Sequence, residues 1–350
     1  MEKELIGALP DGRQIHSYSF SFNNGASFSV MDYGACLLKL EVSSDRMTDT
    51  RDVVLGFSDV KDYFFKNDPC FGMVIGPHAN RIADASFEFN GKVYQVDKND
   101  GNNFNHKDSK GWHTKVWDIK SVDDGGITFE LYSPEGDCGF PGDYTCEVSY
   151  TFRDNALMID YRAKAKSDGV FSPTNHSYFN LNGHSNGTIK DHGLIIYAED
   201  FLPGGSDSVT RGELRKVENT PFDFREKKLI GRDIDSDYDE IVYGKGYDHC
   251  FVLNERFSEA GMEMYHAAKL FSGNEDLVMD VYTTQPGMMM YTANWFTGEE
   301  TAKDNKKYQA RSGVAFETQF FPNSLNIPQF KQPVIRAGEE KHYRTVFKFS

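Results

Sequence analysis

The sequence lacks the features that mark nucleic-acid-binding and membrane proteins. Lysine and arginine number 38 against 53 aspartates and glutamates, which gives a formal net charge of -15. A chain this acidic gains nothing from approaching a polyanion or an anionic bilayer. No apolar run reaches the length of a membrane span. Residues 1–20 also lack the basic start and apolar stretch of a signal peptide. We therefore expect no nucleic-acid partner, no membrane partner and a cytoplasmic location.

Paired cysteines are also missing. The 5 cysteines are odd in number, scattered, and contain no CxxC pair. This pattern is typical of reduced thiols in the cytoplasm rather than of a disulfide framework.

Motifs for metals and nucleotides are absent or incomplete. DIDSDYDE, at 233–240, resembles the start of a calcium loop, but Tyr238 occupies the position that needs glycine and Gly244 the position that needs glutamate. There is no HExxH, no GxxxxGK[ST] and no strand–GxGxxG–helix context. The sequence predicts no metal and no cofactor.

The sequence is rich in residues that are typical of β-strands and of the turns between them. Aromatic residues make up 14% of the chain, and 31 glycines supply turns. Strand-like runs separated by turn signals lie at 27–42, 127–133, 144–152, 156–165, 193–201, 276–284 and 342–349. Three long connections, at about 43–70, 99–117 and 202–249, exceed hairpin length and are typical of functional loops. Residues 299–309 are polar all round and favour a surface loop or short helix. The pattern predicts one all-β, antiparallel domain over 1–350, with few short helices.

The stretch GVAFETQF, at 313–320, places one carboxylate in an otherwise apolar or small segment. Read as a strand, it turns Val314 and Phe316 to one face and Glu317 and Gln319 to the other. Small neighbours on the second face leave room beside Glu317. This pattern suits a ligand-facing base, although an exposed strand carboxylate is the more common case.

Four further polar residues stand in distinctive surroundings. Arg81 precedes a hairpin-like unit, His106 lies in a long polar loop, His176 lies among aromatic residues, and Asp248 precedes a strand. Each alone is compatible with an ordinary surface or structural role. Together with Glu317 they supply a base, an imidazole acid that titrates near neutrality, and hydrogen-bonding groups for hydroxyls. The set suits proton transfer on a neutral, hydroxyl-rich molecule.

At this point the residues resemble a known family. The pieces that carry the resemblance are, in order, ANRIADASFEFNGKVYQV, NDGNNFNH…GWHTKVW, SPEGDCGFPGD, PTNHSYFNL, YDHCFVLN and GVAFETQFFPNSLN. They resemble the aldose 1-epimerase (galactose mutarotase) family over about residues 5–350. The resemblance implies a large antiparallel β-supersandwich. It also implies an enzyme that interconverts the α and β anomers of free aldoses such as galactose and glucose, without a cofactor.

The resemblance implies two catalytic residues. Glu317 would be the general base that takes the proton of the C1 hydroxyl. His176 would be the general acid that protonates the ring oxygen.

It also implies a set of substrate-binding residues. His106 would lie beside the ring oxygen, and Arg81 and Asp248 would hydrogen-bond sugar hydroxyls. Asn80 is a weaker candidate beside Arg81. Gln319 is expected to line the pocket because it shares a strand face with the base.

Two departures from the family pattern bear on sugar preference. GPHANRI has Pro77 where the family commonly has arginine. NHKDSKGW has Asn105 in place of an apolar residue, and Lys107 and Asp108 in place of two glycines, while His106 is kept. The preferred aldose is left open, as is the choice between monomer and homodimer.

Three other functions stay open on the sequence. A glycosidase would need two carboxylates, for which Asp248 and Glu317 form the plausible pair. A non-catalytic sugar sensor would keep Arg81 and Asp248. An enzyme for sugar phosphates would need a basic cluster, for which Lys107 and Lys110 are the only hint.

Overall fold

The strand Tyr144–Arg153 illustrates how this sequence forms sheets. Its side chains alternate strictly between buried and half-buried positions, from Tyr144 to Phe152. Such alternation places one face of a strand on a core and the other towards solvent. Our computed structural model describes residues 1–106, 109–259 and 261–350 and builds most of them from strands of this kind.

Three large sheets carry the fold, and every pairing between their strands is antiparallel. The first has ten strands in the order Asp118–Val122, Gly126–Ser133, Tyr144–Arg153, Ala156–Ala165, Glu340–Phe349, Val278–Thr283, Met262–Phe271, Gly193–Ile196 and Lys228–Leu229, with Arg256–Glu259 paired to Met262–Phe271. The second has six strands in the order Tyr178–Phe179, Val314–Gln319, Gly287–Tyr291, Asp248–Leu253, Ala198–Leu202 and Arg215–Lys216. The third has five strands in the order Glu2–Ala8, Gln14–Ser21, Ser27–Met31, Cys36–Val42 and Arg51–Asp52.

Smaller pieces complete the architecture. Five two-stranded ladders pair Arg81–Ile82 with Phe104–Asn105, Val74–Ile75 with Thr174–Asn175, Ser86–Phe89 with Lys92–Gln95, Gly169–Val170 with Val334–Ile335, and Thr297–Thr301 with Lys307–Gln309. The described residues contain two α-helices, Val60–Phe65 and Asp239–Gly244. Single 3₁₀ turns lie at Ala83–Ala85, Trp112–Thr114, Asp137–Gly139, Ile189–Asp191, Gly205–Asp207, Ile230–Arg232, Lys303–Asn305 and Ser324–Asn326. The prediction of an all-β, antiparallel fold with few short helices is confirmed.

Three predicted segments differ in detail. The run 27–42 is two strands, because the chain turns at Gly34, whose φ of +66° favours glycine. The run 193–201 changes sheets: its first half pairs in the ten-stranded sheet and its second half in the six-stranded one. Residues 299–309, expected to be a loop or helix, form most of a hairpin whose strands join through a 3₁₀ turn.

The largest hydrophobic cluster lies where the sheets face one another. It takes Phe28 from the five-stranded sheet, Val148 and Ile159 from the ten-stranded sheet, and Phe251 and Phe316 from the six-stranded sheet. All five side chains are buried. This packing fixes the six-stranded sheet, and therefore one face of its strand Val314–Gln319, against the core.

Within the described part of the chain, no helix is long and apolar enough to cross a membrane.

Candidate active site

Glu317 lies on an inner strand of the six-stranded sheet, with Met289 opposite it on the strand Gly287–Tyr291. The predicted alternation is present: Val314 and Phe316 join the main core, whereas Ala315 packs in a second cluster on the other face. Only 2% of Glu317 is exposed. The carboxylate is therefore buried, unlike most strand glutamates.

Two histidines face this carboxylate. Nε2 of His176 lies 3.4 Å from Oε1 of Glu317, and Nε2 of His106 lies 3.8 Å from Oε2. The two imidazoles meet edge to face, with ring centroids 5.2 Å apart. Both histidines are more than nine-tenths buried. The structure thus brings together one carboxylate and two imidazoles that lie far apart in the sequence.

Backbone contacts hold His176 in place. Its N–H donates to Met73 O at 2.9 Å, and its carbonyl accepts from Gly72 N–H at 3.0 Å. The neighbouring residues Thr174–Asn175 pair with Val74–Ile75. This short ladder sets the histidine beside the strand that carries Glu317.

The proton position on His106 follows from its partner. The backbone N–H of Asn80 donates to Nδ1 of His106 at 3.1 Å. Because a backbone N–H can only donate, Nδ1 must be the acceptor, and the neutral ring carries its proton on Nε2. His106 therefore presents an N–H donor towards Glu317.

The surroundings of Glu317 make it a stronger base than an ordinary glutamate. Burial is the main cause, and the charge of Asp248 adds to it, while Arg81 acts in the opposite direction. Together they raise the pKa of Glu317 to about 8. A carboxyl group that titrates near the working pH is suited to general acid–base catalysis.

Arg81 and Asp248 lie next to this centre. Nη1 of Arg81 is 3.9 Å from Oδ2 of Asp248, and Nε donates to Oδ2 of Asp100 at 2.7 Å. Burial tends to lower the pKa of Arg81, but Asp248 and Asp100 outweigh it, so the pKa lies above its ordinary value. A guanidinium held between two carboxylates offers fixed donors to a ligand.

These side chains open into a cavity of about 820 Å³. Its walls are Lys66, Asp68, Pro69, Cys70, Arg81, Asp97, Lys98, Asn99, Asp100, Asn105, His106, Ser109, His113, His176, Tyr178, Asp248, Tyr291, Trp295, Phe296 and Glu317. The mixture of aromatic faces with carboxylate, amide and imidazole groups is suited to a polar, uncharged ligand.

Two predicted substrate-binding residues lie behind the cavity wall. Asn80 is 1% exposed, and its side-chain oxygen accepts the N–H of Arg81 at 2.7 Å. Gln319, expected to line the pocket, is fully buried and outside the wall. Alternation gave the correct face for Gln319, but it could not give the depth of the strand end in the core. Asn80 instead orients His106 and Arg81.

The two sequence departures fall at different depths. Pro77 is buried and does not line the cavity, and its carbonyl accepts the N–H of Ser172 at 2.8 Å. Asn105 lines the cavity, and its backbone N–H donates to the side chain of Asn99 at 2.6 Å. Lys107 and Asp108 lie outside the described residues.

The rim of the cavity holds no basic cluster among the described residues. Its lysines are Lys66 and Lys98, accompanied by Asp68, Asp97 and Asp100. Lys66 also pairs with Asp62 at 2.8 Å. This balance of charge does not favour the phosphate-binding alternative.

His106, His176 and Glu317 are also the group that could in principle hold a metal ion, with candidate ligand atoms within 4.8 Å of one another. A ligating imidazole normally donates its other N–H to a second partner. His106 does the reverse, since its second nitrogen accepts the Asn80 N–H and its proton lies on Nε2. With the proton of His106 on Nε2, these three side chains fit proton transfer better than metal binding.

Several cavity residues were not identified from the sequence. Asp100, Tyr178, Tyr291, Trp295 and Phe296 all line the site. Asp100 lies in the long polar loop already singled out, and that position in the loop was the available signal. The aromatic residues carried no signal that separates them from core residues.

Fold and site together define an all-β protein in which a buried carboxylate and two imidazoles lie at a cavity suited to a polar ligand. The sequence model of the aldose 1-epimerase family matches residues 16–348. The chain is 34% identical over 348 residues to galactose mutarotase of Sus scrofa, which covers 99% of this chain and 98% of that one. It is 33% identical over 354 residues to aldose 1-epimerase of Escherichia coli K12, covering 100% and 99%.

A solved structure agrees with these sequence matches. Galactose 1-epimerase of Lactobacillus acidophilus superposes with a TM-score of 0.84 at 25% identity, over 100% of this chain and 98% of that one. The fold is therefore galactose mutarotase-like. The chain belongs to the aldose 1-epimerase family, and the family and its activity, an isomerase reaction, agree with the resemblance noted in the sequence.

Proposed function

We propose that this enzyme interconverts the α and β anomers of free aldohexoses such as galactose and glucose. The observation that carries the proposal is the contact at the cavity, where Glu317 Oε1 and His176 Nε2 lie 3.4 Å apart. An acid and a base this close can serve two oxygens bonded to the same carbon. In an aldose, the C1 hydroxyl and the ring oxygen are such a pair.

Glu317 is the base in this proposal. Its carboxylate takes the proton of the C1 hydroxyl, and a pKa near 8 gives it more driving force than an ordinary glutamate has. Its Oε2 has no hydrogen-bond partner within the described residues. That oxygen is therefore available to a substrate hydroxyl.

His176 is the acid. It donates a proton to the ring oxygen as Glu317 removes the C1 proton, so the C1–O5 bond breaks and an aldehyde forms. Rotation about C1–C2 presents the other carbonyl face. The reverse transfers then close the opposite anomer and restore both residues. Atoms, electrons and protons balance within the substrate and these two groups, and we propose that no cofactor takes part.

The remaining polar groups bind the sugar. His106 holds its Nε2–H beside the reacting atoms and can donate to the ring oxygen. Arg81 donates to sugar hydroxyls, and Asp248 accepts from them. The two residues hold each other at 3.9 Å, so we expect each to position the other. We expect the preferred aldose to depend on the segment from Asn105 to Trp112, where the sequence departs from the family pattern.

The test is polarimetry on freshly dissolved α-D-galactose and α-D-glucose, in dilute buffer because buffer acids and bases also catalyse mutarotation. The proposal expects the protein to speed the approach to anomeric equilibrium for at least one sugar. In parallel, nitrophenyl galactosides and glucosides should release no nitrophenol. Nitrophenol release without mutarotation would replace the epimerase with a glycosidase.

We further propose that residues 1–350 form one domain and that the enzyme works in the cytoplasm. The main hydrophobic cluster, which runs from Tyr18 to Phe349, supports the first proposal. The five cysteines are all buried, odd in number and without a CxxC pair, which is typical of thiols in a reducing compartment. A single cooperative transition in urea, followed by fluorescence and circular dichroism, would test the domain proposal.

A further inference from the structure

We propose that His249 and Glu240 form a buried pair that positions Asp248 for sugar binding. The inference rests on the proposed function, because Asp248 is there a substrate-binding residue. His249 and Glu240 do not line the cavity and are not required by the acid–base chemistry. They are positioning residues that act through Asp248.

The geometry fixes the proton on His249. The backbone N–H of Asp248 lies 3.2 Å from Nδ1 of His249. Since that N–H can only donate, Nδ1 must carry no proton. The proton of the neutral ring is then on Nε2, which donates to Oε2 of Glu240 at 3.1 Å. One tautomer satisfies both bonds, and the other would leave two donors facing each other at Asp248.

Glu240 is anchored in turn. It is 4% exposed, and its Oε2 also accepts the N–H groups of Gly204 and Gly205, each at 3.0 Å. Nη1 of Arg215 lies 3.5 Å from its other oxygen. Burial alone would raise the pKa of Glu240, but the bond from His249, with the backbone donors, holds it below its ordinary value. The carboxylate therefore remains an acceptor for His249.

Packing restricts the imidazole ring as well. His249 is 5% exposed and meets the ring of Phe222 edge to face, with centroids 4.5 Å apart. Phe201 lies on a second side, at 5.9 Å. The ring is thus held by two aromatic contacts and two polar contacts. Its Nδ1 is therefore held in one position, where it accepts the backbone N–H of Asp248.

Asp248 needs such a support because it begins its strand. The preceding Gly246 has a φ of +135°, so the chain enters the strand through a sharp turn. The Asp248 carboxylate must reach the cavity and remain 3.9 Å from Arg81. A backbone that moved at this point would carry the carboxylate away from both. The long connection 202–249 therefore has a role: it supplies Glu240, which holds His249, and Gly204 and Gly205, which hold Glu240.

Two substitutions at His249 separate its hydrogen bond to the Asp248 N–H from its hydrogen bond to Glu240. His249→Asn places an oxygen where Nδ1 lies, so it keeps the acceptor for Asp248 N–H and needs no tautomer. His249→Gln places an amide nitrogen where Nε2 lies, so it keeps the donor to Glu240 but loses the acceptor. Asp248→Asn, alone and combined with His249→Gln, completes a double-mutant cycle.

The inference expects His249→Gln to raise KM for the aldose about 10-fold, the effect of one lost hydrogen bond, with kcat within about 3-fold of wild type. His249→Asn should stay within about 3-fold of wild type in KM. In the Asp248→Asn background, His249→Gln should add nothing further. A purely structural role would instead multiply the two effects, or lower kcat and KM together in both His249 variants, and either result would overturn the inference.

A second measurement reads the tautomer of His249 directly in the wild-type protein. Long-range ¹H–¹⁵N correlation spectra, with His249→Asn used for assignment, report which nitrogen of His249 carries the proton. The inference expects Nε2, and protonation at Nδ1 would overturn it even if His249→Gln does not fold. Failure of the proposed function looks different: wild type would not mutarotate any aldose, while the His249 tautomer could still be the expected one.

Discussion

Replacing Glu317 with glutamine should abolish the interconversion of anomers by the enzyme. The same substitution should make the protein more stable at alkaline pH. The carboxylate is 2% exposed, and its pKa is raised to about 8, chiefly by burial. A buried carboxyl group of this kind favours its protonated form, so ionisation opposes folding. Glutamine has nearly the shape of the protonated acid and carries no charge. The penalty of ionisation is therefore absent from the variant.

The sign and size of this stability difference follow from the pKa of Glu317 in the folded protein and its pKa in the unfolded chain. The unfolded chain releases this proton near the ordinary value of 4.5, but the folded protein keeps it until about 8. Wild-type stability therefore falls, relative to the variant, as pH rises from about 4.5, and levels off above about 8. At 1.36 kcal/mol per pH unit, the relative loss between pH 5 and pH 8 is about 3–4 kcal/mol. Below about pH 4.5 the two proteins should be nearly equal.

Urea denaturation at several pH values between 5 and 8.5 measures this difference. Glu88→Gln is a matched control, because Glu88 is an exposed carboxylate on the strand Ser86–Phe89. The control should track wild type at every pH. If Glu317→Gln also tracks wild type across the range, the carboxylate is not held protonated by burial and the reasoning is wrong.

Three further predictions follow from the same geometry. For wild type, kcat/KM should rise with pH through an apparent pKa of about 8, because only ionised Glu317 accepts the proton, and should fall again at higher pH as His176 loses the proton that it donates; a flat polarimetric profile from pH 6 to 9 would contradict this. Asp100→Asn weakens the charged partner that Arg81 has at 2.7 Å, so KM should rise about 3- to 10-fold with kcat little changed, measured by initial rates at varied sugar. Gly76→Ala would place a Cβ 2.1 Å from the ring of Trp112, so the free energy of unfolding in urea should fall by about 1–3 kcal/mol, and an unchanged midpoint would count against the tight packing described.

Several strands could be located from the sequence because the alternation of buried and exposed side chains is a local property of the chain. The run 144–152 carries its own burial pattern, and the structure extends it by a single residue, to Arg153. The run 27–42 was harder, because the turn at Gly34 depends on a close approach of Met73 and His113. Neither neighbour is visible in the local pattern.

The sequence indicated five of the residues that line the cavity, but not how deeply they are buried. The face of Glu317 followed from alternation, whereas its burial depends on strands Gly287–Tyr291 and Tyr178–Phe179 on either side. The same limit explains Gln319, which shares that face yet lies fully buried behind the cavity. Asp100 was missed for a related reason: its contact with Arg81 joins two segments 19 residues apart.

The central claim is that Glu317 is the base of an anomer-exchanging site. The most direct test measures the interconversion of the α and β anomers of galactose and glucose by NMR of their anomeric protons. It is carried out with wild type and with Glu317→Gln. Circular dichroism of both proteins confirms that they are folded. The account predicts rapid exchange in wild type and a fall of at least about 100-fold in the variant, the usual contribution of a general base. A folded Glu317→Gln protein with exchange within about 3-fold of wild type would contradict the account.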